Sequence, residues 1–191
     1  MQPRYCLLAL LLLTAPLLTA PLVHAGPVED AIRAGGVALL MRHATAPGGG
    51  DPEQFQLDDC STQRNLSDAG RNEARRIGLH LKTLGLKPGE VLTSQWCRCR
   101  ETAELAFGGG RDWPMLNSFF RDRASEAKQR DAVVARVGQI KRGSAPLVLV
   151  THQVIVTSVT GVFPESGEVV VVAPAGKGVK VIGTLKPSLA H

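Results

Sequence analysis

The stretch Val37-Ala38-Leu39-Leu40-Met41-Arg42-His43-Ala44 decides how this chain is read. Its apolar run shows no alternation with polar residues, the pattern of a strand buried on both faces as in a parallel sheet. The run stops on a guanidinium and an imidazole, and the glycine- and proline-rich segment 45–62 follows. At the exposed end of a buried strand, such a pair can grip a phosphoryl group and attack it. One Arg-His pair arises by chance, but two further apolar runs end in kindred chemistry. Val91-Leu92-Thr93-Ser94 leads into Arg98, and Leu147-Val148-Leu149-Val150-Thr151 leads into His152. Three strands thus carry Arg42, His43, Arg98 and His152 at their carboxyl ends, the edge at which open parallel sheets bind ligands.

The rest of the chain supplies the partners such a sheet needs. A short helix is predicted over 28–34 and the first strand over 36–41. The segment 45–62 reads as a long loop, and long loops in compact domains are often functional. Ser67 is placed to cap a helix with Asp68 in its first turn and an apolar stripe of Ala69, Ala74, Ile77, Leu81 and Leu84, stopped by Gly85. A strand over 90–93 and a helix over 98–107 follow, closed by glycines 108–110. Residues 111–122 read as loop with a short strand near Met115. Helix is expected over 125–142 with Ala127, Val133, Val134, Val137 and Ile140 inward, strand over 146–151, and helix or turn over 152–160. Strands over 168–173 and 177–185 read as a hairpin through 174–176. The sum is an α/β domain, three-layer α/β/α with a mostly parallel central sheet.

Residues 1–25 read as a secretory signal peptide: Arg4, an apolar stretch from Cys6 to Leu22, then Val23-His24-Ala25 with cleavage after Ala25. Removing 25 of 191 residues leaves 166, residues 26–191, enough for one domain with a substantial core. The expected location is the periplasm, with no stable membrane insertion after cleavage. A formal charge of +5, spread along the chain with one Tyr and two Trp, lacks the concentrated basic stripe and stacking aromatics of nucleic-acid readers. It suits a small anionic substrate. Cys60 and Cys97 fall in loops and Cys99 in a helix start that wants a small buried residue, so a Cys60–Cys97 disulfide is expected with Cys99 as a buried thiol. Cys97-Arg98-Cys99 lacks the paired spacing of a zinc site, and no Asp/Glu/His cluster has ligand spacing, so neither metal nor cofactor is expected. Glycines 48–50 and 108–110 lack the Lys-Ser/Thr of a nucleotide-binding loop. Oligomeric state is left open.

Arg42-His43-Ala44 after the first strand, Ser94…Arg98-Cys99-x-x-Thr102-Ala103 after the second and Val150-Thr151-His152 after a late one resemble the histidine phosphatase (phosphoglycerate mutase-like) superfamily. Arg64-Asn65-Leu66-Ser67-x-x-Gly70-x-x-x-Ala74 resembles its helix-entry motif. The matching blocks run in order from about Gly36 to Val156. The resemblance implies a phosphoglycerate mutase-like fold and a metal-independent phosphomonoester hydrolase. His43 would be the nucleophile that becomes phosphohistidine, Arg42 and Arg98 the clamp on phosphoryl oxygens, and His152 a donor to a nonbridging oxygen. Arg64 and Asn65 would reach the phosphate from the helix entry. The family's proton-donor motif is missing here. Within 117–126, Asp122 is the first choice for that role and Glu126, as a donor or substrate contact, the second. The short chain resembles the small one-domain members, which include phosphatases of envelope sugar phosphates. The alternative is a phosphate- or phospho-ligand-binding relative without turnover.

Overall fold

The structure is a computed structural model that describes residues 26–186, so the signal-peptide reading of residues 1–25 lies outside the described residues. Its elements are α1 (Pro27–Ala34), β1 (Ala38–Arg42), α2 (Asp68–Thr83), β2 (Glu90–Thr93), α3 (Cys97–Phe107), β3 (Arg111–Asp112), α4 (Glu126–Gly138), β4 (Leu147–Thr151), α5 (Gln153–Thr160), β5 (Val169–Ala175) and β6 (Gly178–Leu185). Short 3-10 turns occupy Cys60–Thr62, Pro114–Leu116 and Arg123–Ser125.

The strands form one sheet in the order β3-β2-β4-β1-β5-β6. β1 to β4 pair in parallel, while β5 and β6 are antiparallel. The uninterrupted apolar runs are explained by burial on both faces. Leu39 and Met41 of β1, Val148 and Val150 of β4 and Val169 and Val171 of β5 pack with Ile77 and Leu81 of α2, Cys99 and Ala103 of α3 and Val28 and Ile32 of α1. Their alternate neighbours Ala38, Leu40, Leu147, Leu149, Val170 and Val172 pack with Val133 and Val137 of α4 and Val154 and Ile155 of α5. The outcome is the three-layer α/β/α architecture, its four parallel strands extended by an antiparallel hairpin.

Local signals place the helices that frame the site. Ser67 caps α2 by accepting from the Gly70 amide at 3.1 Å. Gly70 itself lies against the loop after β1, where an added Cβ would stand 2.0 Å from the Thr45 carbonyl oxygen. α3 closes at Gly108 in the left-handed conformation, φ +78°.

Four details differ from the sequence reading. The short strand is Arg111–Asp112, and Met115 sits instead in the turn opened by Pro114. α4 ends at Gly138, not 142, because the Gln139 and Ile140 amides turn back to the carbonyls of Arg136 and Val137 and tighten the last turn. Ala69 and Ala127 are exposed, not buried. The final hairpin turns at Gly176 and Lys177, with Pro174 inside β5.

Candidate active site

The parallel register of β1 and β4 sets Arg42 beside Thr151. The residues that follow, His43 and His152, therefore leave neighbouring strands together, and the His43 amide donates to the Thr151 carbonyl at 2.9 Å. Their rings meet edge to face with centroids 5.5 Å apart. Arg98, in the first turn of α3, reaches both. Its Nε donates to His43 Nε2 at 3.2 Å, and its Nη2 stands 3.4 Å from His152 Nδ1.

Two contacts settle the form of His43. The Ala44 carbonyl, 2.8 Å from Nδ1, can only accept, so Nδ1 carries the proton. Arg98 can only donate, so the lone pair at Nε2 is aimed at Arg98 and the cavity. Burial and then the charge of Arg98 push the imidazole pKa down to about 3, which keeps it neutral. Burial and Arg98 also hold His152 well below the usual histidine range. His152 Nε2 lies 2.8 Å from Ser94 Oγ, and that hydroxyl lies 3.2 Å from Asn117 Oδ1.

Arg42 is half-buried, with Nη1 on the Pro164 carbonyl at 3.0 Å and a buried Nε that has no hydrogen-bond partner among the described residues. Desolvation, and then the proximity of Arg98, lower its pKa. Guanidiniums gathered this closely, one with an orphaned donor, favour an anion between them. Arg98 also forms a two-pronged ion pair with Asp51, at 2.6 and 3.1 Å. Burial works to raise the Asp51 pKa, but the hydrogen bonds and charge of Arg98 and the Trp96 indole hold it below the usual carboxylate range.

These groups line a cavity of about 420 Å³ that includes Arg42, His43, Arg98, His152, Arg64 and Asp122. Phe55 and Trp96, stacked with centroids 5.0 Å apart, and the exposed Phe120 add apolar wall. Arg64 lines the cavity, but its guanidinium is bonded to the carbonyls of Ala46 and Gly50, so it holds the glycine loop rather than standing free for a phosphate. Asn65 does not line the cavity. Its amide donates to the Cys60 and Gln63 carbonyls and closes the turn there. Glu126 likewise stands apart, in the first turn of α4 and 3.5 Å from Arg123. Asp122 is exposed at the rim and bonded to the Ser125 hydroxyl.

Cys60 and Cys97 form a disulfide, and Cys99 is a free, fully buried thiol pushed up to about 12 by burial. The disulfide ties the 45–62 loop to the start of α3, one residue from Arg98. Two contributors, Asp51 and Trp96, escape the sequence reading. Asp51 had no local signal beyond a glycine-rich loop ahead of Pro52. Trp96 could have been noticed as the residue that leads into Cys97-Arg98. Ser94, which belongs to the family-like motif of the sequence, touches His152. Among the described residues no group of three or more His, Cys, Asp and Glu is arranged to hold a metal ion.

No family model matches the chain, and no curated protein matches it by sequence. Solved structures do resemble it. The protein histidine phosphatase SixA complexed with tungstate superposes with a TM-score of 0.52 at 17% identity, covering 79% of this chain and 97% of that one. A protein of Escherichia coli assigned as an alpha-ribazole-5'-P phosphatase gives 0.58 at 14% identity, with 82% and 100% covered. Phosphoglycerate mutase of Thermus thermophilus gives 0.51 at 20% identity, with 78% and 98% covered. Together with the sheet order and the strand-end imidazoles, these likenesses show that the chain has the fold of the histidine phosphatase superfamily.

Proposed function

We propose that the protein is an exported, metal-independent phosphomonoester hydrolase that works through a phosphohistidine at His43. The observation that carries this reading is the doubly determined lone pair of His43: Nδ1 bound to the Ala44 carbonyl, Nε2 facing Arg98 and the cavity. A neutral imidazole attacks phosphorus without first losing a proton. Nε2 would form the N–P bond while the ester P–O bond breaks, and water would then hydrolyse the phosphohistidine to inorganic phosphate. Arg42 and Arg98 supply the positive charge that phosphoryl transfer requires. His152, with Nδ1 on the cavity side, donates to a nonbridging oxygen once it takes a proton there. An arriving phosphoryl dianion favours that step by setting negative charge beside the ring.

Several neighbours in fold are phosphatases by name, including SixA and a phosphoserine phosphatase of Entamoeba histolytica, and one holds tungstate, a tetrahedral anion of phosphate's shape. Export is supported by the leader-like residues 1–25 and by a disulfide that suits an oxidising compartment. The substrate class is a small phosphorylated molecule, and envelope sugar phosphates are the first to screen.

The deciding experiment is hydrolysis of a chromogenic phosphomonoester by the purified chain in the presence of a chelator, at several pH values. Turnover that disappears in His43→Ala, together with acid-labile phosphate trapped on His43, supports the proposal. Equal rates for wild type and His43→Ala overturn it. Vanadate raising the melting temperature with no turnover would instead identify a binding protein.

A further inference from the structure

Breaking an alkyl phosphate ester needs a proton for the departing oxygen, because an alkoxide leaves poorly. Asp51 and Asp122 are the carboxylates lining the cavity among the described residues. Asp122 is exposed at the rim and engaged with Ser125. Asp51 is different. Its side chain is only 11% exposed, and a single guanidinium spans the distance between it and the nucleophile. Arg98 Nε touches His43 Nε2 at 3.2 Å, while Nη1 and Nη2 hold the two Asp51 oxygens. Asp51 also accepts from the Trp96 indole at 3.0 Å and the Arg64 backbone amide at 3.3 Å, both uncharged donors.

The planar fork that holds this carboxylate is also the one that suits phosphoryl oxygens. A phosphoryl group arriving at His43 competes with Asp51 for Arg98. The carboxylate then loses its cation and faces a dianion, and both changes favour its protonated form. Trp96 and the Arg64 amide keep it at the site as Arg98 is released. The backbone can follow a small shift. Gly48 and Gly50 have positive φ, and space beside Gly49 and Gly50 is open. The Arg121 guanidinium, which also lines the cavity, holds the Asp51 and Pro52 carbonyls and limits the excursion.

We propose that Asp51 is the proton donor to the leaving oxygen, and that it takes up this role by yielding Arg98 to the phosphoryl group of the substrate. The inference rests on the phosphomonoesterase reading. Asp51 takes a proton from solvent as substrate binds. The His43 Nε2 lone pair forms the N–P bond, the P–O bonding pair goes to the ester oxygen, and that oxygen takes the Asp51 proton and departs as the alcohol. The Asp51 carboxylate next accepts a proton from water as the water oxygen attacks phosphorus. The N–P bonding pair returns to Nε2, and inorganic phosphate is released.

The test is kcat/KM for a series of phosphomonoesters, from nitrophenyl esters with a good leaving group to simple alkyl esters with a poor one, in the disulfide-intact protein. Asp51→Asn should lower the alkyl values by about 100-fold or more and the nitrophenyl value by less than about tenfold. A folding defect or a lost structural contact would depress the series evenly, and an even loss overturns the proposal. So does a leaving-group-dependent loss in Asp122→Asn that Asp51→Asn lacks. As a second readout, Asp51→Asn should bind inorganic phosphate more tightly, because the competing carboxylate charge is gone; weaker binding counts against the exchange of Arg98. A wild type that hydrolyses none of the esters overturns both this proposal and the phosphatase reading, whereas an active wild type with an even Asp51→Asn loss overturns this one alone.

Discussion

The buried imidazole of His43 lowers native stability at acid pH in a measurable way. In the folded chain burial and Arg98 hold its pKa at about 3, while the unfolded chain has an ordinary imidazole. Above the ordinary value both states are neutral, and His43 adds no pH dependence. As pH falls below about 6.5, the unfolded chain takes up a proton that the native chain refuses, so native stability declines until the folded value is reached. The expected loss from this one residue is about 2 kcal/mol between about pH 8 and pH 5. Urea titrations at both values should show a smaller decline for His43→Asn than for wild type. The strand-end histidines and Arg98 were legible in the sequence because each directly follows an apolar run or opens the next helix. Asn65 and Glu126 lie outside the cavity lining for a local reason. Both are short-range hydrogen-bonding groups, and nearby partners at Cys60, Gln63 and Arg123 claim them before the cavity does.

Two connections between elements hold the loop over the cavity. The Cys60–Cys97 disulfide closes a separation of 37 residues between that loop and α3. Chain-entropy reasoning puts its contribution at about 3–4 kcal/mol. A Cys60→Ser/Cys97→Ser double variant should lose that much in urea unfolding at neutral pH; on the proposed mechanism, ester hydrolysis falls as well because the loop carries Asp51. The second connection is the close approach of α2 to the loop after β1. Gly70→Ala would drive a Cβ to 2.0 Å from the Thr45 carbonyl oxygen, and Thr45 is itself held by Glu73 through its amide and hydroxyl. A backbone shift is then unavoidable, and we expect a destabilisation of about 1–3 kcal/mol by thermal denaturation. Helix boundaries and caps were legible at Ser67, Gly85 and Gly108 because capping is a local matter. The end of α4 was not, because its residues 139–142 are as helix-compatible in composition as those before them.

At the scale of the whole molecule, the candidate anion site joins the ends of β1 and β4 to the start of α3. A ligand bound there should oppose global unfolding. Phosphate or vanadate at about 100 times its dissociation constant stabilises by about 2.7 kcal/mol. For a domain of this size that corresponds to a rise in Tm of roughly 5–10 °C. Differential scanning calorimetry should detect it, and Arg42→Gln, which removes a half-buried cation from the cavity wall, should abolish most of the shift.

The sequence by itself determined the layered α/β architecture, the parallel strand ends that bear His43 and His152, and the partners of the disulfide. Those features follow from hydrophobic periodicity and local turn chemistry, which act over a few residues. Only the tertiary structure decided that Arg98 is shared between His43 and Asp51, that Trp96 and Ser94 stand beside them, and that Asn65 and Glu126 do not. Such choices depend on which side chains converge from distant segments and compete for one guanidinium, and no local pattern encodes the outcome of that competition.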